Sequence, residues 1–306
     1  MAQTGWALAV HGGSGRIVRG EVPPAQAAAA RAGLSAALEA GAAVLGAGGS
    51  ALNAVEAAVR VLEDDPAFNA GRGAVFSGEG RNELDAAIMD GAGRRAGAVA
   101  GVTRARNPVS LARRVLEDGR HVLLSGHGAD LFAEEHGLEL AALAWFHTDE
   151  RWRQYEELGR RGVFDTELKY GTVGAVARDA RGDLAAATST GGLTGKRWGR
   201  IGDSPLIGAG TWADGSVAVS ATGSGEHFIR VAAAHSIAAR VALAREAIDA
   251  AGRAVLADLG ALGGTGGLLL MGARGEGCFA FTTPGMHRGR VAEGGTAAVM
   301  LYGDEG

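Results

Sequence analysis

Two short segments, Gly171-Thr172-Val-Gly-Ala-Val-Ala-Arg178 and Leu184-Ala-Ala-Ala-Thr-Ser189, flank the stretch Asp179-Ala-Arg-Gly182. Their side chains are mostly small or β-branched and the residues between them are turn formers, which predicts a β-hairpin. Further strands gather around it. Ser216–Thr222 alternates, Leu268–Met271 and Cys278–Phe281 flank a Gly272–Gly277 turn, and Thr296–Tyr302 reads as a closing strand. Trp6–Val10 predicts a buried strand running into His11-Gly-Gly-Ser-Gly15, while Phe68–Phe76 and Asn82–Asp90 read as strand and turn. Before residue 170 helices dominate. Pro23-Pro24 opens a long helix with Leu34, Ala37, Leu38 and Leu45 at helical spacing, stopped by Gly46. Ser50 is the expected N-cap of a second helix carrying Leu52, Val55, Val59 and Leu62, ended by Pro66. Asn107-Pro108 starts a third, and residues 128–160 are polar and helical around a loop. Residues 226–251 predict one long helix bearing Phe228, Ile229, Ile237, Val241 and Ile248. Strands and helices come in blocks, with no repeat and no Pro/Ser-rich linker. The expected architecture is a single α+β domain over 1–306, its helices covering a mostly antiparallel sheet.

Composition narrows the function classes. The 306 residues carry 30 basic and 34 acidic side chains, net −4, without the basic excess of a nucleic-acid binder. Cys278 is alone, so no intrachain disulfide can form and a reducing, cytoplasmic setting is expected. The apolar run Trp6–Val10 is too short for a signal peptide and lacks basic residues before it. No charge-free run reaches the ~18 apolar residues of a membrane span, so no membrane partner is expected. Glycine is the outlier at 52 of 306, far above an ordinary ~7%, yet without a Gly-X-Y period. These glycines punctuate a packed fold.

Several motifs fail on inspection. Thr190-Gly-Gly-Leu-Thr-Gly-Lys196 imitates a phosphate-binding loop, but its first residue is Thr and Arg197 follows the lysine where Ser or Thr is required. His11-Gly-Gly imitates a hydrolase oxyanion loop, yet there is no Gly-x-Ser-x-Gly elbow. The histidines form no His-x-x-x-His pair, and one cysteine builds no zinc site. What remains is a set of threonines beside glycines: Gly171-Thr172, Ser189-Thr190-Gly191-Gly192, and Ala221-Thr222-Gly223-Ser-Gly225-Glu, with Gly199-Arg-Ile-Gly-Asp203 between them. Small residues around a hydroxyl suit a nucleophile that backbone and substrate must approach closely.

Together these segments resemble the plant-type asparaginase/isoaspartyl peptidase family of N-terminal-nucleophile hydrolases. The resemblance runs through Ala9–Gly15, Phe68–Gly71, Glu83–Ala86, Met89–Gly91, Gly97–Pro108, Gly171–Ala177, Asp183–Ala213, Val219–Arg230 and Leu262–Gly267. It implies a four-layer αββα sandwich and a chain that cuts itself at Gly171–Thr172 into an α-subunit of 1–171 and a β-subunit of 172–306. The logic of processing stands on chemistry as well. A threonine hydroxyl needs a base beside it, and an α-amino group titrating near ~7.7–8.0 exists on Thr172 only after cleavage.

The resemblance makes Thr172 the nucleophile, with Thr190 orienting its hydroxyl and Thr222 and the Gly223 N–H forming the oxyanion hole. Arg200 would hold a substrate α-carboxylate and Asp203 an α-ammonium, with Gly225 lining the same pocket. Asn69 is an auxiliary polar residue near the nucleophile. The stretch Leu62–Arg72 resembles a structural sodium loop in which the backbone carbonyls of Leu62, Glu63, Asp65, Phe68, Ala70 and Arg72 are the ligands; no cofactor is expected for catalysis. The implied activity is hydrolysis of the side-chain amide of L-asparagine or of β-aspartyl dipeptides, by a dimer of αβ heterodimers. Glycosylasparaginase is the alternative within the family, disfavoured by the single cysteine and by Gly-Thr-Val-Gly at 171–174. A taspase-like endopeptidase lacks its long insertions here, and a non-catalytic amino-acid-binding module would not need Thr172, Thr190 and Thr222 together. The turn at Asp214-Gly215 is about one residue shorter than usual in the family, Ser224 stands where Thr is also common, and the segment before Thr172 is short and not Gly/Ser-rich.

Overall fold

A computed structural model describes residues 5–162 and 171–305. The short, Gly/Ser-poor segment immediately before Gly171 falls, over 163–170, outside the described residues. In chain order the elements are β1 (Ala7–Gly15), α1 (Pro24–Gly46), α2 (Ala51–Asp64), β2 (Leu84–Asp90), β3 (Arg95–Val102), α3 (Pro108–Asp118), β4 (Leu123–Ser125), α4 (Gly126–Glu135), α5 (Leu143–Phe146) and α6 (Asp149–Arg161). There follow β5 (Val173–Arg178), β6 (Leu184–Thr190), β7 (Thr211–Ala213), β8 (Val217–Gly223), α7 (Gly225–Arg230), α8 (Ala233–Leu243), α9 (Ile248–Ala261), β9 (Gly266–Gly272), β10 (Cys278–Phe281), β11 (Gly285–Ala292) and β12 (Ala298–Tyr302). One sheet runs β12-β11-β1-β5-β6-β2-β3-β4, the other β10-β9-β8-β7. All pairs are antiparallel except β3–β4. The class is α+β, as the blocks of helix and strand signals predict.

The predicted hairpin is β5–β6, paired from Val173↔Ser189 to Arg178↔Leu184. Ser50 caps α2 by accepting the Asn53 N–H at 3.2 Å, and Pro108 opens α3. The predicted helix 226–251 is instead α7, α8 and the start of α9. Its first break is at Ala232, in left-handed backbone at φ 45°. The break lets Ala234 N–H and His235 N–H reach the carbonyls of Ala209 and Gly208, at 3.1 and 2.8 Å. Tertiary hydrogen bonds override a continuous helical pattern here. Of the stretch Phe68–Phe76 only a 3₁₀ turn at Gly71–Gly73 is regular. β11 shows no inside-outside alternation, since Met286, His287 and Arg288 are all buried.

Three apolar clusters order the packing. The largest joins α1, α2 and α3 to the large sheet through Leu34, Leu38, Val55, Val59, Val109, Leu8 and Val10. A second joins α8 and α9 to the small sheet through Ile237, Val255, Leu259, Val219 and Leu268. The third holds side chains of both sheets, among them Ala9, Val176, Ala186, Ala218 and Leu269. α1 is long and apolar enough to cross a membrane by length and composition, but its Leu34, Ala37 and Leu38 lie in the first cluster.

Glu63, in the last turn of α2, is buried and ties three elements together. Its Oε1 accepts the Ser189 hydroxyl of β6 at 2.6 Å and the Val109 N–H of α3 at 2.9 Å. Burial pushes its carboxyl up to about 8. The folded chain therefore holds a proton that an unfolded carboxyl near 4.5 would release, and this contribution is lost as pH rises towards 8. His11 acts oppositely, since burial lowers it from 6.5 to about 3 and favours the fold as pH rises through that window. Glu63→Gln, which stays neutral, should flatten the fall in melting temperature between about pH 5 and 8. Thermal melts across that range check it; a slope equal to wild type would refute the assignment.

Candidate active site

The register that pairs Val173 with Ser189 sets Thr172 opposite Thr190 at one end of the hairpin. Both side chains are buried, Thr172 at 8% exposure, and the Thr172 hydroxyl donates to Thr190 Oγ1 at 3.2 Å. Thr190 Oγ1 also accepts the Gly192 N–H at 3.0 Å. Asn69 braces this turn: its Nδ2 donates to Gly192 O at 2.8 Å, its Oδ1 accepts Val75 N–H at 3.0 Å, and its carbonyl accepts Gly191 N–H at 3.1 Å. Among the described contacts Asn69 meets the Thr190 loop and not Thr172.

Thr222 and Gly223 end β8 of the small sheet. Thr222 Oγ1 accepts the Ser14 N–H at 3.4 Å and its carbonyl accepts the Ser14 hydroxyl at 3.3 Å, which ties it to the end of β1. Among the described contacts it is Ser14, not Thr172, that Thr222 meets. Gly223 has φ 139°, and a Cβ there would lie 2.4 Å from Thr265 O. No other residue fits that backbone.

Arg200, Asp203 and Gly225 converge. A Cβ on Gly225 would lie 2.9 Å from both Arg200 Nη2 and Asp203 Oδ1, so the absent side chain leaves room beside both charges. Sequence reasoning missed Glu226, whose carboxylate receives Arg200 Nε at 2.8 Å and Nη2 at 2.9 Å. The two residues are 26 apart, and only the fold reveals the pair. Glu226 grips one edge of the guanidinium and fixes its plane.

His11 is fully buried with Nε2 2.8 Å from Ser220 Oγ. Burial lowers it to about 3, while the adjacent Thr172 backbone pulls weakly the other way. It is neutral at pH 7. Cys278 lies on β10, and burial pushes its thiol up to about 11, which leaves it a poor nucleophile at neutral pH.

The residues of the suspected cation loop also fall together. Leu62 and Glu63 occupy the last turn of α2, whose carbonyls have no intrahelical partner. A Cβ on Gly71 would lie 2.3 Å from Glu63 O, and one on Gly73 would lie 2.0 Å from Phe68 O. Two glycines therefore let the loop fold over these carbonyls. Asp65 O and Ala70 O already accept the N–H groups of Phe68 and Gly73, at 3.3 and 3.1 Å. Hard backbone oxygens of this kind suit an alkali or alkaline-earth cation.

The family model for asparaginases matches residues 4–301. The chain is 46% identical over 310 residues to the isoaspartyl peptidase of Escherichia coli (strain K12), covering 98% of this chain and 97% of that one. It is 44% identical over 269 residues to the isoaspartyl peptidase/L-asparaginase of Mus musculus, covering 86% and 82%. It is 40% identical over 305 residues to the plant-type L-asparaginase of Thermococcus kodakarensis, covering 94% and 97%. With a threonine pair at the hairpin end and a match along almost its whole length, the chain belongs to the asparaginase family of isoaspartyl peptidases and plant-type L-asparaginases.

Proposed function

We propose that the chain is a self-processed threonine amidohydrolase that cleaves the side-chain amide of L-asparagine and the isopeptide bond of β-aspartyl dipeptides. The observation that carries this reading is the 3.2 Å contact between the Thr172 and Thr190 hydroxyls at the start of the processed strand. In the first step the Thr172 hydroxyl attacks the Gly171 carbonyl, the acyl group shifts from nitrogen to oxygen, and water hydrolyses the ester. The products are the Gly171 carboxylate and a free Thr172 α-amine, giving subunits 1–171 and 172–306.

In the second step that amine takes the Thr172 hydroxyl proton while the oxygen attacks the substrate side-chain carbonyl. Thr190 orients the hydroxyl. The Thr222 hydroxyl and Gly223 N–H stabilise the oxyanion, donors worth about 3 kcal/mol each when removed singly. Arg200 and Asp203 hold the α-carboxylate and α-ammonium, in the space Gly225 leaves open. The amine returns its proton to the departing ammonia or amino acid, and water then frees aspartate from Thr172. The three apolar clusters support an αββα four-layer sandwich. The loop Leu62–Arg72 would hold a sodium ion through the carbonyls named above, as a structural element. Dimeric assembly of αβ units and a cytoplasmic location complete the reading.

Thr172→Ala should stay a single full-length band on denaturing electrophoresis while wild type separates into two. A wild-type chain that never splits would defeat the mechanism. Kinetically, wild type should hydrolyse β-Asp-Leu or Asn, and inactivity on both would defeat the substrate class. Glu226→Gln should loosen the Arg200 fork and raise KM about three- to tenfold with little change in kcat, given a half-exposed bridge worth roughly 1 kcal/mol. An unchanged KM would show that Glu226 does not position Arg200.

A further inference from the structure

Lys196, dismissed above as the end of a false phosphate loop, is one of only two lysines in the chain. It is also among the largest fully buried side chains, at 1% exposure. A buried ammonium is costly unless it is paired and hydrogen-bonded. Its Nζ donates to Glu83 O at 3.0 Å and lies 3.8 Å from Glu83 Oε2 and 3.9 Å from Asp85 Oδ2. Asp85 is buried as well. Its Oδ1 accepts the Gly101 N–H at 2.8 Å, and on β2 it stands directly opposite Thr190 of β6. The lysine stem passes beneath the Thr190 turn: a Cβ on Gly192 would lie 3.0 Å from Lys196 Cδ and 3.2 Å from Nζ. Gly192 in turn gives its N–H to Thr190 Oγ1, the acceptor of the Thr172 hydroxyl.

Hydrogen bonds and ion pairs thus run from Asp85 and Glu83 to Lys196, whose stem lies close beside Gly192, and from Gly192 to the two hydroxyls. We propose that Lys196, anchored by Glu83 and Asp85, is a positioning residue for hydrolysis: it braces the Gly192 turn from below and so holds Thr190 Oγ1 at hydrogen-bond distance from the nucleophile. Asn69 braces the same turn through Gly192 O. Lys196 touches neither Thr172 nor the Arg200–Asp203 pocket in the contacts above, so it acts on the chemical step and not on substrate binding. The assignment rests on Thr172 being the nucleophile.

The test uses the full-length processed enzyme, with kcat and KM on β-Asp-Leu expressed per processed Thr172. Lys196→Met should lower kcat about 10- to 100-fold, the scale expected when a reacting group is misplaced, with KM within about twofold. Lys196→Arg, which keeps the charge, should retain more kcat than Lys196→Met. Asp85→Asn should lower kcat in the same sense by a smaller factor. Wild-type kcat in processed Lys196→Met, or a loss appearing only in KM, overturns the proposal. Should Lys196→Met fail to fold or process, wild-type kcat in Asp85→Asn overturns it. Thr172→Ala separates the two readings. If it is inactive while Lys196→Met keeps wild-type kcat, only the role of Lys196 falls; if it still cleaves β-Asp-Leu, both fall.

Discussion

The close approach of the two sheets at Gly174 is the constraint on which the rest depends. A Cβ there would lie 2.0 Å from Ser220 Oγ, 2.5 Å from His11 Nε2 and 2.9 Å from Ala187 O. The space it would fill holds a line of buried hydroxyls. His11 meets Ser220 at 2.8 Å, Ser220 meets Thr188 at 2.7 Å, and Thr211 donates to Thr188 at 2.7 Å. Thr188 donates onward to the Gly210 carbonyl at 3.2 Å, and Thr211 Oγ1 also lies 3.0 Å from the Ser204 carbonyl. A larger residue at 174 would part the sheets and leave several buried polar groups unpaired, each costing about 1–3 kcal/mol. Gly174 lies two residues after Thr172, and Ser220 two before Thr222. The same contact that joins the sheets therefore fixes the spacing between the strand of the proposed nucleophile and the strand of the proposed oxyanion donor.

The interior is polar yet carries few uncompensated charges. Burial keeps His11 neutral and lets Glu63 hold its proton to about 8. Burial likewise raises Asp85, against the opposing pull of Lys196. Short side chains make this arrangement possible: β6 reads Leu-Ala-Ala-Ala-Thr-Ser-Thr, every residue buried. Alanines let the two layers come near enough for Ser and Thr hydroxyls to reach across, where branched side chains would hold them apart. Close packing also accounts for part of the glycine surplus. At Gly12, Gly97, Gly191 and Gly266 a Cβ would fall within 2.5 Å of a neighbouring atom.

What was legible in the sequence was what local rules govern. Ser50, Pro108 and the Asp179–Gly182 turn announce their elements, because caps and turns are decided by residues adjacent in the chain. The break at Ala232 was not legible. It has no Gly or Pro, and exists to satisfy carbonyls more than twenty residues away. β11 was hidden because Met286, His287 and Arg288 are all buried, which erases alternation. At the site, the threonines were found through their glycine neighbours and a family resemblance spread along the chain. Glu226 and Lys196 were not, since their meaning lies in Arg200 and Asp85, which the fold alone brings near. A lysine in a chain whose other basic residues are arginine at all but one position was the one available hint.

The choice of lysine at 196 then has a physical reason. Its stem lies close against Gly192, where a Cβ would stand 3.0 Å from Lys196 Cδ, and the compact ammonium reaches one carbonyl and two carboxylates from a single point. A guanidinium presents a planar fork that suits bidentate partners, and Arg200 meets one in Glu226. The two cations, four residues apart, divide the work by shape. The point charge is buried beside the turn that carries Thr190, and the fork stands where the proposed substrate carboxylate would be held. The order Thr190–Lys196–Arg200 thus links the hydrogen-bond acceptor of the proposed nucleophile, its proposed brace and the proposed recognition of substrate within one short loop.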